Sequence, residues 1–278
     1  MKKWGCALLY AGIPVILLAL AAPTASPAQS YTFGVVPQYD QRQLHAIWQP
    51  ILGELQRRTG ISFKLAGMPT IPAFEKELEK GGYDFAYMNP YHVLKPSKSG
   101  SYIPLVRDGA NLRGILVVRK ESEMKSPSEL NGKTVAFPSP NALGASMMLR
   151  ADLAREFKAR VSPLYVKTHD SVYLHVVKGL ADAGGGVEKT LAEQEKPIRD
   201  ALRVLYVSRD LPPHPVTVHP RVPGSDAERV RRAFLEMAGD QAGQALLARI
   251  PMKKPVSTSM NDYLRIRKFD LEAFWVEE

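Results

Sequence analysis

VAFPSPNALGASMML, residues 135–149, is the stretch on which the fold turns. A β-rich opening runs into Pro138 and Pro140, then Asn141, and then a helix-forming run that starts at Ala142. Proline donates no hydrogen bond to a ladder, so the strand ends here and a helix begins on the far side of a corner. The corner holds no nucleophile, acid or base. It offers instead the free amides of Ala142, Leu143, Gly144 and Ala145, with Asn141 placed to cap them. Helix starts carry unpaired N–H groups and about half a positive charge, which makes them ready anion sites.

Strand and helix alternate on both sides of this corner. Upstream, YTFGVV reads as a strand. A helix follows, with Leu44, Ile47, Trp48, Ile51, Leu52 and Leu55 at helical spacing, stopped by Gly60. ISFKLAG is a second strand, Ile71, Phe74 and Leu78 mark a short helix, and YDFAYMNP a third strand leading to a helix with Pro90 in its first turn. Downstream, the pattern predicts strands over 133–137, 164–167, 182–187 and 202–207, with helices over 142–158, 171–180 and 188–195. A capping box is read at Ser126 to Glu129. This is an α/β chain of two lobes, each a mostly parallel sheet flanked by helices. The lone extended segments RGILVVRK and HPVTVHP are the two crossings between lobes. The expected division is residues 29–115 plus 217–278 for lobe one and 116–216 for lobe two, hinged by two strands.

Ligands of open α/β sheets sit beyond the carboxyl ends of the strands. Two further corners there share the form of the first: YMNPYH, capped by Asn89, and KTHDSVY, where Thr168 or Asp170 caps a helix starting near Ser171. Caps ordinarily just satisfy helix ends, and a lone Tyr or His ordinarily just packs. Three such corners together point to an anion held between lobes. Tyr39, Tyr87, Tyr91 and His169 flank them with hydroxyl and imidazole donors.

At the N-terminus, Lys2 and Lys3 precede an apolar stretch and a small-residue run ending at Ala28, the layout of a secretory signal over residues 1–28. Cys6 falls inside it, so the mature chain is expected to have neither disulfide nor thiolate metal site. Without the two signal lysines, 35 basic residues face 28 acidic ones, a net +7. That balance favours anionic partners in general, but the charges are scattered and RVRR (229–232) reads as a solvated helix face, so nucleic acid is not expected. No cofactor is expected either. ADAGGGVEKT lacks both P-loop glycines. His214 and His219, five apart on a strand, point to opposite faces and share no metal. His169, Asp170 and Ser171 are adjacent and cannot assemble as a triad. No enzyme activity is expected.

FGVVPQYD, YDFAYMNPYH, GKTVAFPSPNALGAS, HDSVYLHVVKGLADAGGGV and PPHPVTVHP, in that order, resemble the periplasmic phosphate/phosphite/phosphonate-binding proteins of ABC importers. The resemblance covers nearly all of the mature chain. It implies a type II periplasmic-binding fold and a periplasmic, monomeric receptor that delivers a small phosphorus oxyanion to an ABC permease. It also implies ligand contacts from Ala142 to Gly144 with Ser139 and Ser146 beside them, from Tyr87, and from His169. This chain departs from relatives that bind aminoalkylphosphonates. Ala142-Leu143-Gly144 stand where those carry a Ser/Thr/Ser run, His214 stands where one carboxylate would hold an ammonium, and glycines 184–186 with Val187 lie near the place of the other. The expected ligand is phosphite, phosphate or a short alkylphosphonate, without an amine. The alternative is a sensory module of the same fold that reports to a membrane receptor or kinase.

Overall fold

A computed structural model describes residues 1–2, 30–95 and 100–277. The expected signal segment, apart from Met1 and Lys2, lies outside the described residues.

The first described strand, β1 (Ser30–Val35), buries Phe33 and Val35, and a short connection leads from it to Asp40. The Asp40 carboxylate accepts from Gln43 N at 2.9 Å and so starts α1 (Gln41–Thr59). The buried face of α1 is the one the spacing predicts, and Gly60, at φ 71, closes it with its N–H on Gln56 O. β2 (Ser62–Gly67), α2 (Ile71–Glu79) and β3 (Phe85–Tyr87) follow, and β1 pairs in parallel with both neighbouring strands. After β4 (Ile103–Asp108) the chain crosses to a second sheet through β5 (Gly114–Arg119).

There it forms β6 (Thr134–Phe137), α3 (Met148–Arg155), β7 (Ser162–Tyr165), α4 (His169–Val177), β8 (Ala183–Val187), α5 (Glu188–Ala192), α6 (Lys196–Asp200) and β9 (Leu202–Val207). It returns as β10 (Val216–Val218), α7 (Gly224–Met237), α8 (Gln241–Leu247), β11 (Pro255–Ser257) and α9 (Met260–Leu264). The strand orders are β11-β4-β10-β3-β1-β2 and β7-β6-β8-β5-β9.

Both sheets are mixed rather than mostly parallel. The reason lies in the crossings: β5 runs antiparallel to β8 and β9, and β10 antiparallel to β3 and β4. Between the sheets the two crossing segments meet in a single antiparallel bridge, where Leu112 and Leu211 exchange N–H···O bonds of 2.9 Å in both directions. Such a short ladder joins the sheets while leaving the flanking dihedrals to absorb rotation.

The predicted helix 142–158 begins differently from expectation. Residues Leu143–Met147 form a π turn, and the Ala142 carbonyl accepts from both Ser146 N (2.9 Å) and Met147 N (3.0 Å). Widened turns of this kind recur at functional sites. Its neighbour is a seam of glycines. A Cβ at Gly114 would lie 2.1 Å from Gly144 O, and one at Gly185 would lie 2.2 Å from Ala145 O. Only glycine lets the turn's backbone press this closely on the sheet.

The last described residues cross back over α3. Arg150 donates to Pro140 O (2.7 Å) and Phe274 O (2.5 Å), and Arg155 to Phe269 O and Asp270 O (2.7 Å each). Trp275 stacks on Tyr91 at 5.4 Å, with the Lys95 ammonium 4.1 Å above its ring. The tail therefore touches elements of both sheets.

Candidate functional site

The corner at 142–145 opens on a cavity where the two sheets' connecting segments face each other. It is lined from one side by Val36, Gln38, Ile71, Asn89 and His214, and from the other by Ala142 to Ala145, His169 and Val187. The cavity measures ≈ 20 Å³, where about 10–15 Å³ admits a single water. No lysine, arginine, aspartate or glutamate lines it. What it offers an anion is the head of a helix, whose first amides have no intrahelical partner, and neutral polar side chains.

His169 opens α4, which Thr168 caps by accepting from Ser171 N at 3.2 Å, so the helix starts two residues earlier than expected. The His169 Nδ1 sits 3.2 Å from Thr190 Oγ1. Burial disfavours the imidazolium and pushes its pKa down to about 4. His214 stacks on Tyr87, with ring centroids 5.5 Å apart, and its Nε2 lies 3.4 Å from the Gln38 amide nitrogen. Burial, reinforced by His169 and His92, pushes the His214 pKa down to about 3. Both rings are neutral at physiological pH.

Other expected residues stand elsewhere. Asn141 does not cap the helix; the cap position is Ala142, without a side-chain bond. The Asn141 amide instead pairs with the Val276 backbone in both directions at 2.9 Å and donates to Glu75 at 3.1 Å. The Asn141 backbone carbonyl accepts from Asn89 Nδ2 at 2.6 Å, and Asn89 Oδ1 accepts from Tyr91 N, capping the expected helix at Pro90, which is a 3₁₀ turn over Pro90–Leu94. Ser139 Oγ accepts from Asn141 N, and Ser146 Oγ from Arg150 Nε, so neither hydroxyl lines the cavity. Asp170 accepts from Gln194 at 2.7 Å, outside the lining.

The tyrosines are also drawn away. Tyr39 donates to Glu193, a bond that joins the start of α1 to the end of α5. Tyr91 is taken up by Trp275, and burial together with Glu272 pushes its phenol up to about 12. The Tyr87 hydroxyl is buried without a hydrogen-bond partner, and the residue reaches the cavity only through the His214 ring it supports. Gln38 and Thr190 escaped the sequence reading. Gln38 follows a proline with no pattern around it, and Thr190 shows its role only through its bond to His169. Among the described residues no cluster of three or more His, Cys, Asp or Glu is gathered as a metal site, and no helix is long and apolar enough to cross a membrane.

Comparison with known proteins assigns this architecture. Residues 33–263 match the family described as "ABC transporter, phosphonate, periplasmic substrate-binding protein". The chain belongs to this family. It is a family of transport-associated binding proteins and not of enzymes, and its fold is shared by solved relatives. A phosphonate-transporter binding component from Pseudomonas aeruginosa superimposes with a TM-score of 0.75 at 17% identity, over 87% of this chain and 86% of that one. PhnD1 from Prochlorococcus marinus, solved with methylphosphonate, gives 0.77 at 12% identity, over 87% and 97%. In sequence, the phosphate-import protein PhnD of Mycolicibacterium smegmatis is 23% identical over 211 residues, 65% of this chain. The match spans 66% of that relative's length, just short of two thirds. The phosphonate-family chain shares the two-lobed fold of these solved relatives.

Proposed function

We propose that this phosphonate-family protein captures phosphite, phosphate or a short alkylphosphonate in the cleft between its sheets and delivers it to an ABC permease. The observation that carries this reading is the cavity itself: very small, headed by free helix amides, and lined by no carboxylate and no cation. Free helix amides suit a compact oxyanion. An ammonium group would find no counter-charge and would lose its hydration for nothing. The ligand-binding set comprises Ala142, Leu143, Gly144, His169, Asn89, His214 and Gln38. Tyr87 stands behind His214, and Ser139, Asn141, Ser146, Tyr39, Tyr91 and Asp170 support the walls.

In this reading the two lobes are residues 29–115 with 217–278 and residues 116–216, bounds that fall within two residues of the ends of the crossing strands β5 and β10. The chain reaches the periplasm through cleavage after residue 28 and works as a monomer. Calorimetric titration of ligand-stripped mature protein with phosphite, phosphate, methylphosphonate and 2-aminoethylphosphonate tests the central point. The expected result is heat from one or more of the first three and none from the aminated ligand. Tighter binding of 2-aminoethylphosphonate would overturn it.

A further inference from the structure

Thr190 stands where it can set which nitrogen of His169 carries the proton. Its buried hydroxyl has one hydrogen and three neighbours: Val187 O at 3.0 Å, Tyr173 Oη at 2.7 Å and His169 Nδ1 at 3.2 Å. A carbonyl only accepts, so the Thr190 hydrogen goes to Val187 O. Tyr173 gives its hydrogen to Thr190 in preference to Val187 O, which is 3.4 Å away. One lone pair of the hydroxyl remains, and His169 fills it by donating from Nδ1–H. A neutral imidazole protonated at Nδ1 is bare at Nε2, the ring's remaining polar atom beside the cavity. The Nε2 of His214 is bare as well, because an amide NH₂ can only donate to it, but Gln38 already occupies it.

No nearby group changes this balance. His214 faces His169 as a neutral ring. Asp170 is tied to Gln194, Glu193 to Tyr39 and Lys189, and Glu188 to Arg113. Tyr173 acts only through Thr190. An oxyanion's oxygens are acceptors, and so is a bare ring nitrogen; the two repel unless a hydrogen lies between them.

We infer that His169, held by Thr190 with Nε2 bare, makes the cleft select an oxyanion that brings its own acidic hydroxyl, the singly protonated form of a phosphorus oxyanion, and reject sulfate. This rests on the phosphorus-oxyanion reading above. At neutral pH sulfate has no proton to bring, and burial makes His169 reluctant to supply one from solvent. Phosphorus oxyanions keep theirs up to about pH 6 and in part beyond. His169 is the selecting group and Thr190 a positioning residue.

Calorimetry of wild type, Thr190→Val and Thr190→Ser with phosphite and with sulfate, between about pH 5.5 and about pH 8.5, tests the inference. In wild type, phosphite affinity should fall about tenfold per pH unit above the ligand's second ionisation, and sulfate should bind at least about 100-fold more weakly at the acid end. Thr190→Val frees the ring to put its proton on Nε2, so the phosphite-to-sulfate ratio should shrink about tenfold and the pH profile flatten. Thr190→Ser should keep both, which separates loss of the hydroxyl from loss of packing. Wild-type phosphite binding that ignores pH, or sulfate binding as tight as phosphite, overturns the selection while leaving the phosphorus-oxyanion reading intact. A Thr190→Val ratio and slope equal to wild type overturns the role of Thr190. Failure of phosphite, phosphate and methylphosphonate to bind at any pH overturns both.

Discussion

Tyr87 buries a phenol oxygen that nothing satisfies, while its ring packs between Trp48, 5.0 Å away, and His214. A buried hydroxyl without a partner costs about 1–3 kcal/mol. Tyr87→Phe keeps both ring contacts and removes the cost, so chemical denaturation of the ligand-free protein should show stability unchanged or raised by about 1 kcal/mol. A loss of that size would mean the oxygen has a partner in solution. At this scale the sequence was an uneven guide. His169 was legible because it sits beside a cap at a strand end. Tyr39, Tyr91 and Ser146 carried the right chemistry, but the fold spends it on Glu193, Trp275 and Arg150. A one-dimensional pattern cannot tell a donor aimed at a cavity from one aimed at a neighbouring helix.

Among the elements, the π turn at Leu143–Met147 does the positioning. Ala142, just ahead of it, has φ −65°, the value a proline ring imposes. Ala142→Pro should therefore fold with little strain while deleting one amide at the cavity. Phosphite binding should weaken about 10–100-fold, the scale of a hydrogen bond to a charged group; unchanged affinity in the folded variant counts against that amide as a ligand. The alternation that predicted the α/β class survives because each main helix shows a clear buried stripe. Less was visible elsewhere. β4 carries Pro104 opposite a register shift, and β11, α6 and α8 are too short for periodicity to register. The π turn leaves no local sequence trace, and the glycines it presses against lie on other strands.

For the molecule as a whole, two buried neutral histidines make stability depend on pH. A histidine in the unfolded chain titrates near 6.5, whereas His169 and His214 titrate at about 4 and about 3 when folded. Above pH 6.5 both states are neutral and the rings contribute nothing to the dependence. Below it the unfolded chain gains protons that the folded one refuses, so stability falls as pH drops towards 4 and then 3. By pH 4 the loss is on the order of 3 kcal/mol per ring. Ligand-free melts from pH 7 to pH 4 should show this decline, and His214→Gln should lessen it. A flat profile would mean that the rings stay hydrated.

The glycine seam also limits where this binding preference can drift. Cβ atoms at Gly184, Gly185 and Gly186 would stand 2.6 Å from Val172 Cγ1, 2.2 Å from Ala145 O and 2.1 Å from Tyr173 Oη. Any side chain there, an acidic one included, must first push a helix or a phenol off the sheet. Affinity for aminated phosphonates is thus not one nucleotide change away along this strand. Breeding it into the scaffold would have to begin on the opposite wall, at Gln38 or His214, where side chains already have room.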